Sequence, residues 1–253
     1  MKNLTRKMIT AGMAATMAAS LGIAANAEEA SYKVGICQLI QHEALDAATQ
    51  GFQDALTEKL GDRVEFDVQN ASGESVNCST IINGFVSDQV DLILANATGA
   101  LQAAVAGTSD IPILGTAVTD YATALDIDDW TGTVGGNVSG TSDCAPLDQQ
   151  AAMILELVPE AKTVGMLYCS AEPNSEYQVN VVTEALKELN PDLEIKNYTF
   201  ADSNDISSVA TSATECDVVY IPTDNTAANN TEAINNVMEP AGVPVIAGEA
   251  GIC

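Results

Sequence analysis

The segment Lys33-Val34-Gly35-Ile36-Cys37 is a short apolar run of the kind that forms a buried strand. A similar run, Val164-Gly165-Met166-Leu167-Tyr168, follows it at an offset of 130 residues. Three more runs recur in the same order, at offsets of 129, 126 and 132 residues. They pair Val64-Glu65-Phe66 with Leu193-Glu194-Ile195, Asp91-Leu92-Ile93-Leu94 with Asp217-Val218-Val219-Tyr220, and Ile111-Pro112-Ile113-Leu114 with Val243-Pro244-Val245-Ile246. Four matches in order at nearly constant spacing indicate an internal repeat.

Amphipathic stretches separate the apolar runs. In the first stretch, 44–60, Leu45, Phe52 and Leu56 fall on one face at helical spacing. Strands that alternate with such helices indicate parallel βαβ units. The predicted fold class is therefore α/β, with two similar doubly wound parallel-sheet lobes and a ligand cleft between them. We expect a first lobe at 28–142 and a second lobe at 143–253.

The first 27 residues have the features of a cleaved export signal. A basic start (Lys2, Arg6, Lys7) precedes an uncharged stretch, 8–24, and Ala25-Asn26-Ala27 fits a signal-peptidase site. The alternative is a transmembrane anchor, but the stretch is rich in Ala, Thr, Ser and Gly, which insert weakly into a bilayer. We therefore expect an exported protein that is soluble after cleavage and located in the periplasm, at the cell surface or outside the cell.

The composition excludes several function classes. The chain has 253 residues with 35 acidic and 9 basic side chains, a net charge of −26 at pH 7. This charge repels nucleic acid and anionic membrane surfaces, so neither is an expected partner. His42 is the one histidine, which excludes most multi-histidine metal sites and leaves any Ser-His-Asp site dependent on it. We predict no catalytic residue, no metal and no cofactor.

Six cysteines in an exported chain permit disulfides. They are far apart in the sequence, and Cys37, Cys169 and Cys216 lie in or beside strand-like runs, where a free thiol packs as a small apolar group. We therefore favour mostly free, buried thiols over a disulfide framework.

Polar residues follow the predicted strands in both halves of the chain. Because open parallel sheets bind ligands at the carboxyl ends of their strands, these residues are the candidate ligand contacts. The candidates for a carboxylate or other polar head group are Thr98, Thr119, Ser170, Asn174 and Ser175, those for an ammonium group are Asp120, Asp143 and Asp224, and Gln38, Glu172, Asn225 and Glu249 complete the set. The same residue types are preferred helix N-caps, so capping stays an alternative function for them.

At these loops the chain resembles a known family. The motifs that carry the resemblance include Thr116-x-Val118-Thr119-Asp120, Asn137-Val138-Ser139-Gly140-Thr141-Ser142-Asp143, Ser170-x-Glu172-x-Asn174-Ser175, Tyr220-Ile221-Pro222-Thr223-Asp224-Asn225-Thr226 and Pro244-Val245-Ile246-Ala247-Gly248-Glu249. They are similar to those of ABC transporter substrate-binding proteins of the tryptophan/tyrosine type. The resemblance implies the type I periplasmic-binding fold and capture of a small polar ligand. That ligand is often an amino acid, including aromatic amino acids. The resemblance also implies hinge closure, delivery to an ABC transporter permease, and action as a monomer.

Two features depart from the family pattern. Tyr121 follows Asp120 at a position where the family commonly has proline. Members also usually continue beyond the Gly-Glu motif with a stretch that returns to the first lobe, whereas this sequence ends at Cys253. We therefore expect a C-terminally incomplete version that lacks the return segment.

Two other functions stay open. Cys37 and Cys169 occupy nearly equivalent strand ends of the two lobes, as the paired cysteines of a two-base racemase would. A nucleophilic cysteine needs a lowered thiol pKa, however, and Lys33 is the only basic residue near either of them in the sequence. A ligand-sensing receptor domain would share the fold and differ only in its partner. Tyr121 and Tyr168 are either stacking residues for an aromatic ligand or core residues.

Overall fold

Two parallel β-sheets organise residues 31–252, the part of the chain that the computed structural model describes. The predicted export signal and Cys253 lie outside these residues. The strands are β1 (Tyr32–Gln38), β2 (Val64–Asn70), β3 (Leu92–Asn96), β4 (Ile113–Val118), β5 (Val138–Ser142), β6 (Thr163–Cys169), β7 (Glu194–Phe200), β8 (Val218–Ile221) and β9 (Val245–Ala247). The first sheet has the order β2-β1-β3-β4-β5, and the second has the order β7-β6-β8-β9.

Helices connect the strands and cover both sheets. They are α1 (Glu43–Leu60), α2 (Ser75–Ser87), α3 (Thr98–Gly107), α4 (Tyr121–Ala124), α5 (Leu147–Leu157), α6 (Pro173–Leu189), α7 (Ile206–Ala213), α8 (Asn225–Ala228) and α9 (Thr231–Ala241), with short 3₁₀ turns at Gly61–Arg63 and Ala250–Ile252. Each apolar run of the repeat forms a strand, and all of these strands pair in parallel. The predicted α/β fold class with two parallel-sheet lobes is confirmed.

The centre of the first sheet shows why these residues form a buried strand. Val34 pairs with Phe66 on β2 and with Leu92 on β3, so β1 has hydrogen-bonded neighbours on both edges. Its glycine, Gly35, lies directly under the ring of Phe85 on α2, where a Cβ would approach ring carbons to 2.6 Å. The absence of a side chain therefore lets α2 pack closely on the sheet.

The core of each lobe lies on both faces of its sheet, as expected when helices cover both sides. In the first lobe, α2 and α3 bury Phe85 and Leu101 against one face, and Ile36 and Leu94 pack under α1 on the other. The second lobe repeats this arrangement with two buried clusters, one of which includes Tyr168. Tyr121 is also buried, with its hydroxyl donating to the Thr141 carbonyl at 3.3 Å, so both tyrosines are core residues.

The chain passes from the first sheet to the second between β5 and α5. β5, which the repeat did not predict, extends the first sheet by pairing with β4. Leu147, the first residue of α5, already belongs to the core of the second lobe. Within residues 31–252 the second sheet has no counterpart of β5.

The five described cysteines are free, as the sequence predicted, and Cys37, Cys78, Cys169 and Cys216 are buried. Cys144 differs, because it is exposed in the passage between the lobes. Among the described residues, no helix combines the length and apolarity that a membrane crossing requires.

Candidate ligand-binding site

A cavity of about 340 Å³ lies between the two lobes. The first lobe lines it with Leu39 and Ile40 after β1, with residues 72–76 after β2, and with Gly99 of α3. The second lobe lines it with the loop from β6 into α6, the loop after β7, and residues of α8 and its end. Both walls are built from the carboxyl ends of parallel strands, where α/β proteins bind ligands. The volume lies within the range of small-molecule sites, roughly 300–1,000 Å³.

The loop after β2 is tied to the neighbouring strand of the first lobe. The Ala71 N–H donates to the Gln38 carbonyl at 2.9 Å, and the Gly73 N–H donates to the Leu39 carbonyl at 2.8 Å. Ser72 and Gly73 have positive φ angles of 55° and 84°. Such angles turn the chain sharply, and here the turn brings the start of α2 to the cavity.

Two helix N-termini of the first lobe lie at the cavity. Neither α2 nor α3 has a side chain that caps its first turn. Ser75, Val76 and Gly99, which belong to these first turns, line the cavity. The backbone N–H groups of an uncapped first turn carry a partial positive charge and bind anions. This wall therefore suits a carboxylate.

Glu172 organises the wall of the second lobe. Its Oε1 accepts hydrogen bonds from the N–H and the hydroxyl of Thr226, both at 2.8 Å. Its Oε2 accepts from the N–H of Asn225 at 3.0 Å, from the amide of Asn225 at 2.7 Å, and from the amide of Asn174 at 3.2 Å. A carboxylate has about four acceptor sites, so these five donors leave none for a ligand. Glu172 therefore caps α8 and holds the loop together.

Asp224, predicted as an ammonium contact, is fully buried beneath this wall. Its Oδ2 accepts from the Cys169 N–H at 2.7 Å and its Oδ1 from the Ala227 N–H at 2.8 Å. Burial raises the pKa of the Asp224 carboxyl, and the negative charge of Glu172 raises it further. The structure thus places Asp224 as the N-cap of α8, outside the cavity lining.

Asp120 has the same local geometry in the first lobe, because its Oδ1 accepts from the Thr123 N–H at 2.7 Å and caps α4. Both aspartates therefore cap a helix, which is the alternative function that the sequence left open. The physical reason is that a short helix directly after a strand needs an acceptor for its first N–H groups.

Gln38 is held under α1 and does not line the cavity. Its Oε1 accepts from the Thr49 hydroxyl at 2.6 Å, and its Nε2 donates to Asp46 Oδ1 at 2.7 Å and to the Ile40 carbonyl at 2.9 Å. The bonds to Thr49 and Asp46 join β1 to α1, so Gln38 supports the wall of the first lobe from behind.

Other residues predicted as ligand contacts are also hydrogen-bonded or buried within their own lobe. The Ser142 hydroxyl donates to the Thr119 carbonyl at 2.9 Å, and the Ser170 hydroxyl donates to the Phe200 carbonyl at 3.2 Å. Thr98 is buried as the first residue of α3, and Ser175 is fully buried in α6. Of the twelve predicted residues, Glu172 and Asn174 line the cavity.

The lobes meet at a direct hydrogen bond and an acidic cluster. His42 Nε2, at the start of α1, lies 3.1 Å from Asn225 Oδ1, at the start of α8. Burial raises the pKa of Glu249, the negative charges of Asp143 and Glu172 raise it further, and His42 opposes them. Partial removal from water likewise raises the pKa of Asp143. The charges of His42, Asp143 and Glu172 therefore all act on Glu249.

Sequence reasoning missed two segments of the cavity wall. Residues 72–76 follow β2 and residues 201–203 follow β7, the second strand of each lobe. The repeat pairs these two strands at an offset of 129 residues, so applying the repeat to the loops as well as to the strands would have found both.

The cysteines do not form a reactive pair. Cys37 is fully buried and outside the cavity lining, and a hydrogen bond with Cys78 together with burial raises its pKa. Cys169 lines the cavity, but burial and the charge of Asp224 raise the pKa of its thiol to about 11. A catalytic thiolate needs the opposite shift. Within residues 31–252, no group of His, Cys, Asp and Glu side chains is arranged to hold a metal ion.

Comparison with known proteins agrees with this architecture. The family model for ABC transporter substrate binding proteins matches residues 33–253. The chain belongs to this family. A curated relative, the tyrosine-binding protein of Clostridioides difficile (strain R20291), is 37% identical over 222 residues. That match covers 86% of this ABC substrate-binding protein and 64% of the relative, so the chain spans less than two thirds of the relative's length.

Two solved structures allow the arrangement of the lobes in this chain to be compared with that in related proteins. An ABC domain in complex with L-Trp from Streptococcus pneumoniae is 30% identical, with a TM-score of 0.82, over 88% of this chain and 76% of that one. The ligand-free, open structure of a substrate-binding protein with adhesive properties from Clostridium difficile is 36% identical, with a TM-score of 0.57, over 87% of this chain and 75% of that one. The substrate-binding protein thus superposes better on the L-Trp complex, although its sequence is closer to the open protein.

These matches confirm the expected family and the expected fold. The two-lobed arrangement is the type I periplasmic-binding fold. The family and the relatives named above are binding proteins, not enzymes, which confirms the prediction of a non-enzymatic protein and argues against the racemase.

Proposed function

We propose that this protein is the substrate-binding component of an ABC importer and captures an aromatic L-amino acid between its lobes. The observation that carries the proposal is the interlobe cavity, which strand ends of both lobes line together. A ligand that contacts both walls favours the closed arrangement over the open one, which is the basis of hinge closure. The names of two relatives, a tyrosine-binding protein and a domain with bound L-Trp, support the ligand class.

The cavity wall formed by the first lobe, here called the first wall, supports recognition of the carboxylate; the wall formed by the second lobe is the second wall. The uncapped starts of α2 and α3 offer backbone N–H groups there, and Glu74 is the only charged side chain of the first lobe that lines the cavity within residues 31–252. The ligand carboxylate binds to these N–H groups, which need no arginine or lysine to hold an anion.

Apolar side chains from both walls support an aromatic side chain in the ligand. Leu39, Ile40 and Val76 lie in the first wall, and Pro173 lies in the second. Tyr121 and Tyr168 are core residues outside this lining, so aliphatic surfaces rather than tyrosine rings contact the ligand ring.

The protein works outside the cytoplasm, where it delivers the amino acid to a membrane permease. The family match and the sequence pattern of residues 1–27 support this placement. A sensor domain would use the same cavity, and co-purification with a permease distinguishes the importer from the sensor.

A thermal-shift screen of the purified protein tests the ligand class. L-Tyrosine or L-tryptophan at a hundredfold over its Kd adds about 2.7 kcal/mol of stability and raises Tm by several degrees, whereas sugars and nucleosides leave Tm unchanged. Stabilisation by none of the amino acids would contradict the proposal.

A matched pair of variants tests the place of binding. Val76 is 76% exposed and lines the cavity, whereas Val105 is 36% exposed on α3 and outside the lining. Val76→Asp places a negative charge beside the ligand carboxylate and abolishes the ligand-induced shift, while Val105→Asp retains it. An unchanged shift in Val76→Asp would place the ligand elsewhere.

A further inference from the structure

One buried atom in the cavity wall has no hydrogen-bond partner among the described residues. Asn174 is 7% exposed and lines the cavity. Its Nδ2 donates to Glu172 Oε2 at 3.2 Å and to the Thr223 carbonyl at 3.1 Å. Its Oδ1 accepts no hydrogen bond. Because buried polar atoms are almost always paired, the unpaired oxygen needs an explanation.

The orientation of this amide is fixed by its surroundings. Nδ2 faces a carboxylate oxygen and a carbonyl oxygen, with the Ser175 hydroxyl at 3.4 Å as a third acceptor. Rotating the amide by half a turn would place Oδ1 against those oxygens, which repel it. The acceptor Oδ1 therefore points to the opposite edge of the planar amide, away from these three partners.

The charges of the cavity favour a cationic group at this acceptor. The charged side chains that line it are Glu74, Glu172 and Asp202, and its described lining contains no lysine, arginine or histidine. Glu172 already accepts five hydrogen bonds from the protein, so it contributes negative potential without offering a free acceptor.

We propose that Asn174 Oδ1 accepts a hydrogen bond from the ammonium group of the bound amino acid and thereby selects amino acids over their deaminated analogues. This assignment rests on the proposed function. Glu172 is a positioning residue, because it fixes the Asn174 amide and does not itself contact the ligand. Sequence analysis predicted aspartates for this role, and two of them cap helices.

The unaltered protein provides the first test, by isothermal titration calorimetry with a series of ligands. L-Tyrosine is compared with its hydroxy analogue, 3-(4-hydroxyphenyl)lactate, and with its deaminated analogue, 3-(4-hydroxyphenyl)propionate, and L-tryptophan is run with its matching analogues. A hydroxyl still donates to a neutral amide oxygen, so we expect the hydroxy analogue to bind about 5- to 10-fold more tightly than the deaminated one. Equal affinities of the two analogues would overturn the assignment.

The second test combines the ligand series with variants. In the unaltered protein, loss of the ammonium weakens binding by about 10- to 100-fold. In Asn174→Ala, the factor by which loss of the ammonium weakens binding is smaller by at least about 10-fold, because the acceptor is gone. Asn180→Ala is the matched control, since Asn180 is exposed on the same helix, α6, lies outside the cavity lining and leaves the penalty unchanged.

The outcomes separate this inference from the proposed function. If L-tyrosine binds and the ammonium penalty stays the same in Asn174→Ala, the assignment to Asn174 is wrong while the proposed function stands. If Asn174→Ala does not fold, the ligand series on the unaltered protein decides alone. If no amino acid binds the unaltered protein, both proposals fail.

Discussion

Glu172 shows at the scale of a residue how a carboxylate that looks like a ligand contact serves the protein itself. It takes donors from three residues, two of which begin the short helix α8. A four-residue helix cannot satisfy its own first N–H groups, so an outside acceptor is required. Glu172 and Asp224 together supply that acceptor from two different loops.

Replacing Glu172 tests this structural role. In Glu172→Gln one oxygen becomes an NH₂ group that faces donors, so we expect a loss of about 2–3 kcal/mol in the free energy of unfolding. Urea unfolding followed by circular dichroism measures it. Glu176→Gln is the control, because Glu176 is exposed in the first turn of α6, the helix that Glu172 directly precedes. Equal stability of the two variants would contradict the capping role.

The pKa of Glu249 leads to a prediction for the dependence of stability on pH. Its pKa is raised in the folded protein, chiefly by burial. The native state therefore holds this proton at pH values where the unfolded chain has lost it. The stability from this group is complete below the unfolded pKa, about 4.3, and is lost as pH rises through the folded pKa.

The variant Glu249→Gln removes this titration. Relative to the unaltered protein, its free energy of unfolding is expected to increase as the pH is raised from about 4 towards neutrality, because only the unaltered protein loses the stability that comes from the Glu249 proton. Urea unfolding at a series of pH values measures the difference between the two proteins. A difference that is constant with pH, or that changes in the opposite direction, would show that Glu249 does not have a raised pKa.

At the scale of secondary-structure elements, the contact between β1 and α2 positions the first wall. α2 starts at the cavity with Ser75 and Val76, and it continues down to Phe85, which lies on Gly35. The sequence of β1 predicts a strand, but its single glycine gives no sign of which helix approaches it. Only packing decides that, because Phe85 is 50 residues away in the sequence.

Two glycine substitutions with opposite expected effects test this packing. Gly35→Ala forces a methyl group into the Phe85 ring and destabilises the protein by about 1–3 kcal/mol. Gly51→Ala lies in the exposed face of α1 with no atom within 4 Å of the new Cβ, and it stabilises the protein by up to about 1 kcal/mol. Thermal unfolding of both variants checks the signs, and destabilisation by Gly51→Ala alone would contradict the account.

At the scale of the whole molecule, the bond between His42 and Asn225 joins the two lobes directly. It lies between the starts of α1 and α8, close to the acidic cluster that includes Glu249. A bond that exists only when the lobes are close stabilises the closed arrangement, whatever the ligand.

Removing this bond is expected to weaken ligand binding without changing selectivity. His42→Ala lowers the affinity for every ligand by about 3- to 10-fold, because one hydrogen bond of the closed state is lost. His42→Gln, which keeps a donor, restores part of it. Calorimetry measures the affinities, and small-angle X-ray scattering measures the radius of gyration without ligand. Unchanged affinity and shape in His42→Ala would show that the bond does not bias closure.

The local sequence pattern is enough to predict the two lobes, because strands and helices depend on periodic apolar residues that are near one another in the chain. The repeat of Val34-Gly35-Ile36 as Val164-Gly165-Met166 was sufficient to predict both sheets. It also placed polar residues at the ends of the correct strands, but residue type alone could not separate a cap from a ligand contact.

Which polar groups face the cavity depends on how the loops pack in the folded chain. Asp224 and Asn174 are close in space and similar in chemistry, yet one has both oxygens bound by its own lobe and the other keeps a buried oxygen without a partner. That difference depends on which N–H groups the folded loops bring near each side chain. The Cys169 N–H that binds Asp224 and the Thr223 carbonyl that accepts from Asn174 each lie about 50 residues away in the sequence, so it is the packing of the loops in three dimensions, and not the local pattern, that distinguishes the scaffold from the site.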